Sequence, residues 1–79
     1  MVIALTNKQD LQRKLISILD TAKMQNEKAI VIMTDRAWHM DVFNFFFEHK
    51  NIGKLKVAGQ TFFIIKEMRI EIKAIDLYI

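Results

Sequence analysis

A hydrolytic site needs at least a nucleophile and a base within reach of each other, and this chain offers few of either. It has no cysteine, and Ser17 is its only serine. Ser17 lies in the middle of a helical pattern, without the sharp turn that presents a nucleophile. His39 and His49 are ten residues apart, and neither has a second ligand at the HxxxH spacing that puts two imidazoles on one metal ion. Asp35 and His39 stand four apart at the start of a helical run, where a carboxylate and an imidazole can hydrogen-bond. We read them as a local helix pair. No two carboxylates stand at a spacing that suits acid–base work. The expectation is a protein that is not an enzyme and uses no metal and no cofactor.

Phosphate binding fails a similar test. The loop Thr6-Asn7-Lys8-Gln9-Asp10 stands between a strand and a helix, where a phosphate-binding loop would be, but it has no glycine. Without glycine its backbone cannot wrap closely around phosphates. The other charged feature is a bias along the chain. Residues 1–49 carry six bases and six acids, whereas residues 50–79 carry six bases and three acids, so the net charge of +3 lies wholly in the C-terminal third. Lys50, Lys54, Lys56, Lys66, Arg69 and Lys73 are therefore candidates for contact with a nucleic-acid backbone. The competing reading is an ordinary solvated sheet face.

The elements that carry these residues follow from apolar spacing. Val2–Leu5 is a short apolar run, read as a strand. Thr6-Asn7-Lys8-Gln9 has the form of a capping box, with a hydroxyl first and a glutamine three residues later. The helix that follows runs to about Gln25 or Asn26, with Leu11, Leu15, Ile18, Leu19 and Ala22 on one stripe and Ile16 beside it. Ala29-Ile30-Val31-Ile32-Met33 is continuously apolar rather than alternating, and is read as the central strand, covered on both faces by helices. Thr34 or Asp35 caps the second helix, which extends from Arg36 to His49.

On a helical wheel that second helix is apolar over roughly 220° of its circumference. Met40, Phe43 and Phe47 make one face, Trp38, Val42 and Phe45 another, and Phe46 lies between. Ala37, Asp41, Asn44 and Glu48 occupy the narrow remaining sector. Two readings follow, which do not exclude each other: both faces are internal, and Trp38, Val42 and Phe45 meet a partner protein or a second copy, as aromatic anchors do. Asn51 or Gly53 takes the left-handed conformation that stops the helix. Leu55–Ala58 is a short alternating strand, and Gly59-Gln60-Thr61 a turn. Residues 62–67 are compatible with helix or strand. Met68–Lys73 alternates strictly, and the phase slips at Ala74-Ile75, which suggests a bulge or break before Leu77 and Ile79.

The order of these pieces resembles the first part of the P-loop ATPase-like proteins of phages and mobile elements. The corresponding segments are Ala29-Ile30-Val31-Ile32-Met33-Thr34-Asp35, Thr61-Phe62-Phe63-Ile64-Ile65-Lys66-Glu67 and Ile72-Lys73-Ala74-Ile75-Asp76-Leu77-Tyr78-Ile79. The chain lacks the Gly-Lys-Thr that opens the family pattern and stops short of the acid that closes it. The resemblance implies a minimal Rossmann-like core with parallel strands at 2–5, 29–33 and 75–79, and it transfers no functional residue.

Length and composition set the outer limits. With 79 residues, 52% of them apolar, no proline and two glycines, the chain has room for one domain over residues 1–79 and for no flexible linker. The lack of cysteine and of a signal-like start fits a reducing, cytoplasmic setting. The fold expected is α/β, a small, mostly parallel or mixed sheet of about four strands with two principal helices. The function expected is a non-enzymatic protein-binding accessory or inhibitor, borne by a phage or mobile element and able to form a homodimer, with no membrane contact and no small-molecule substrate. The alternative is a small basic nucleic-acid-binding protein.

Overall fold

The computed structural model describes residues 1–76. Its elements are β1 (Val2–Leu5), α1 (Leu11–Met24), β2 (Ala29–Asp35), α2 (His39–Glu48), β3 (Gly53–Val57), β4 (Gln60–Ile65) and β5 (Met68–Ile75). The fold is α/β with two helices, as the apolar pattern predicts. The mixed sheet has five strands rather than about four, in the order β1-β2-β5-β4-β3. The added strand is the ambiguous stretch after Thr61. Strands β1, β2 and β5 run parallel, and β4 and β3 are antiparallel to their neighbours.

This strand order decides where the helices go. The crossover from β1 to β2 and the longer one from β2 to β5 step the same way across the sheet. Crossovers of the usual right hand then put both helices on one face. The core agrees with this. Leu15, Leu19 and Ala22 of α1 and Val42 and Phe46 of α2 are buried in one cluster with Leu5, Ile30, Ile32, Phe63, Ile65, Met68 and Ile70. Strand pairing puts those strand residues on a single face of the sheet. The expectation of helices on both sides of β2 is thus corrected. Ile30, Ile32 and Thr34 point into the core, while Val31 and Met33 lie half-buried on the face that no helix covers.

Local chemistry also moves several boundaries. Thr6 does not cap α1, which begins at Leu11, two residues after the end of the proposed box. Asn7 Oδ1 instead accepts the Gln9 N–H at 2.7 Å, and Asp10 enters the helix at φ 53°. A short polar side chain that bonds its own backbone two residues on competes with helix in this way. Asp35 Oδ1 accepts the Ala37 N–H at 2.8 Å, which closes a turn before α2 and delays the helix to His39. At the far end of α2 neither Asn51 nor Gly53 is left-handed. Among the described residues, those with positive φ are Asp10, Asn26, Ala58, Gly59 and Lys66. Ala58 and Gly59 form the two-residue β3–β4 turn, which needs positive φ at both positions to match the twist of the strands.

The bulge expected at Ala74-Ile75 is absent. Register with β2 runs residue for residue from Arg69 to Ile75. The phase slip instead marks the point where the uncovered face of β5 turns from charged to apolar. The proposed strand piece at Leu77 and Ile79 lies outside the described residues.

Among the described residues, one buried side-chain atom lacks a partner. Thr34 is fully buried, and its Oγ1 makes no hydrogen bond. Burying an unpaired hydroxyl costs about 1–3 kcal/mol. Thr34→Val keeps the shape and removes the hydroxyl, so thermal unfolding of the variant is expected about 4–8 °C higher per kcal/mol regained. A lower melting temperature would mean that the hydroxyl is engaged.

Candidate functional site

The surface nominated on α2 does not hold together as an exposed patch. Val42 is fully buried in the core, so it cannot meet a partner while the chain is folded. Trp38 and Phe45 are half-buried and pack against that core, with the Phe45 ring edge-on to Phe46 at 5.2 Å. Phe46, at the middle of the apolar arc, faces straight inward and stacks on Phe63 at 5.5 Å. The two ends of the arc are what emerge, and on one of them Met40 and Phe47 are each about half exposed. The Phe47 ring stacks on Phe43 at 5.9 Å and carries the Lys54 ammonium 4.6 Å from its centroid. That leaves a small, partly shielded patch.

The basic candidates are divided among surfaces. Lys54 and Lys56 pair with Phe63 and Thr61 and so stand on the helix side of β3. Arg69 and Lys73 lie on the opposite face, Lys66 is in the β4–β5 turn, and Lys50 follows α2. The six do not make one face.

The residues of possible chemical use are likewise apart. His39 Nδ1 lies 3.1 Å from the Arg36 carbonyl oxygen, and the carboxylate of Asp35 is taken by Ala37, so the proposed Asp35–His39 bond is not formed. His49 Nδ1 accepts the Asn51 N–H at 3.3 Å. Ser17 is exposed on α1. Among the described residues no three His, Cys, Asp or Glu side chains are grouped to hold a metal ion.

A coherent surface is the face of the sheet opposite the helices. Pairing aligns Val2, Val31, Glu71, Phe62 and Leu55 in a single row across all five strands. Ala4, Met33 and Lys73 make a second row on one side of it, with Val57 on the same face of β3. Ala29, Arg69, Ile64 and Gly53 make a third on the other. Ile75 extends the face at one corner, beside Asp35. Val2 is 66% exposed, Leu55 47% and Val57 51%, and Val31, Met33, Phe62, Ile64 and Ile75 are half-buried. A charged stripe of Arg69, Glu71 and Lys73 runs down the central strand β5 between two apolar flanks. The Arg69 guanidinium lies over the Phe62 ring at 5.2 Å.

This face went unread in the sequence, although its signal is there. An apolar run such as Ala29–Met33 requires an apolar setting on both sides of the sheet, and only one side received helices.

Fold and surface together define a two-layer α/β domain with an uncovered, largely apolar sheet face. No protein family, curated protein or solved structure matches the chain. No helix among the described residues is long and apolar enough to cross a membrane.

Proposed function

We propose that the chain is a non-enzymatic protein-binding domain that works by docking the open face of its sheet. The observation that carries this reading is the cross-sheet row Val2–Val31–Glu71–Phe62–Leu55, apolar at four of its five positions and covered by no element among the described residues. Contiguous apolar patches of this extent on a small domain mark interaction sites. A flat sheet face suits a protein partner, whose own apolar side chains can interdigitate with it at the spacing of packed sheets. Nucleic acid is a poorer fit. Stacking platforms need several aromatic rings, and this face has Phe62 alone, with the Glu71 carboxylate beside it. The reading shifts the contact from Trp38, Val42 and Phe45 of α2 to the sheet, and keeps the expectation of a binding protein.

The test uses the folded protein at low ionic strength, titrated separately with an environment-sensitive apolar dye and with single- and double-stranded DNA and RNA. The dye is expected to bind in native conditions, and Val31→Lys to reduce that binding. Tight, salt-sensitive binding of nucleic acid without dye binding would overturn the proposal.

A further inference from the structure

Which partner the open face takes is written in the charges of its central strand. Glu67, Arg69, Glu71 and Lys73 alternate in sign at every second residue, and the last three point outward along β5, while Glu67 stands in the turn that opens it. The three ion pairs among the described residues are Met1–Glu27, Lys8–Asp41 and Arg36–Asp76, and none uses these four. Glu71 is the most buried of them. It is half-buried between Val31 and Phe62, apolar neighbours on both adjacent strands, and among the described residues its carboxylate accepts no hydrogen bond. Arg69 and Lys73 flank it on the same face of β5 without forming an ion pair with it, so a cation of a docked partner can take the carboxylate.

Across a two-fold axis, an alternating pattern of this kind complements itself in one direction only. Stacked parallel on a copy, each charge meets its like. Stacked antiparallel and centred on Ile70, Arg69 meets Glu71 of the partner subunit, and Glu71 meets Arg69 of the partner subunit. Glu67 and Lys73 face each other further out. Centred one residue later, on Glu71, like charges meet again. The same two-fold axis brings Val31 over Ala29 of the partner subunit and Leu55 over Gly53 of the partner subunit, a larger residue over a small one in both cases. Five strands about 4.8 Å apart and about six residues long present roughly 450 Å² in projection. Face-to-face burial on two copies thus removes on the order of 1,000 Å² from water, at the lower end of specific interfaces.

Resting on the docking reading above, we infer that the occupant of the open face is a second copy of this chain. The two sheets pack face to face, with β5 antiparallel across the two-fold axis and reciprocal Arg69–Glu71 ion pairs at its centre. The product is a four-layer α/β/β/α homodimer.

Charge reversal tests both partner and register, with mass followed by sedimentation from micromolar to millimolar concentration. The wild-type chain is expected to dimerise. Arg69→Glu alone and Glu71→Arg alone each put like charges face to face, and each is expected to weaken the dimer about 100-fold or more. An equimolar mixture of the two single variants restores opposite charges, and is expected to form a heterodimer within about tenfold of the wild-type affinity. The double variant Arg69→Glu/Glu71→Arg is expected to recover the homodimer, and circular dichroism checks that every variant is folded. A wild-type chain that stays monomeric throughout overturns the second copy. If it then still binds the apolar dye and loses it with Val31→Lys, docking to another protein stands. If it does not, both readings fall together. A dimer indifferent to both single reversals, or a mixture that does not associate, overturns the register.

Discussion

Phe46→Ala is expected to remove about 3–5 kcal/mol of stability, the cost of truncating a fully enclosed aromatic side chain in a packed core. For a domain of 79 residues the whole stability is about 4–12 kcal/mol. This one substitution therefore takes a large share of it. Phe46 is the ring on which the helix layer and the sheet layer meet. It stacks on Phe63 at 5.5 Å with the planes 28° apart, and Phe45 meets it edge-on at 5.2 Å. Phe43 adds an edge contact to Phe63 at 5.1 Å. Removing the central ring leaves a cavity that these neighbours, held by their backbone elements, fill only in part. Urea denaturation reads the effect as a lower midpoint at unchanged slope. Phe47→Ala is the internal control. It changes the same residue type one position along the same helix, but that ring is 50% exposed, so a loss of about 1 kcal/mol or less is expected. Equal losses at the two positions would mean that α2 is seated differently on the sheet.

The second large effect is on association. Val31→Lys combined with Leu55→Lys places two ammonium groups in the cross-sheet row, one on either side of the central strands. In the free chain both side chains reach water, because a lysine stem can lie on apolar surface while its head stays solvated. Stability is therefore expected to change by no more than about 1 kcal/mol. In a docked state the same groups sit unpaired in a dry interface, and desolvating each costs several kcal/mol. Association through the face is expected to disappear, with circular dichroism and melting nearly unchanged. A variant that associates as the wild type does would remove the sheet face from consideration. One that unfolds would show that the row is internal to the fold.

Much of the architecture was legible because it depends on apolar spacing. The stripe Leu11, Leu15, Ile18, Leu19 and Ala22 identifies α1, and the run Ala29–Met33 identifies β2. What was not legible depends on choices that spacing leaves open. The wheel of α2 shows a broad apolar arc but not where its middle points. The arc is centred near Phe46, and with a single sheet to pack on, the centre goes in and the ends come out. Dividing the arc into two rival faces therefore assigned Val42 to the wrong environment.

The helix starts were missed for a similar reason. Asn7 and Asp35 are good caps in principle, and both spend their side chains on turns that precede the helix. At Ile75 the parity change reads equally well as a bulge or as a change in the character of the outer face, and only the unbroken register with β2 separates the two. The open sheet face is the least legible feature. Its residues come from five separate segments, and no stretch of sequence displays Val2, Val31, Phe62 and Leu55 as neighbours.

We propose that the uncovered side of the sheet, and not α2, is the surface this chain uses. Methyl resonances of the protein in the presence of a soluble paramagnetic relaxation agent test it most directly, across a dilution series. In dilute solution Val31, Leu55, Val57 and Ile64 are expected to be attenuated, while Ile30, Ile32 and Ile70 are spared. As concentration rises and the chain associates, protection is expected to spread to the first group and to leave Met40 as exposed as before. Protection that grows at Met40 while Val31 and Leu55 stay attenuated would contradict the account.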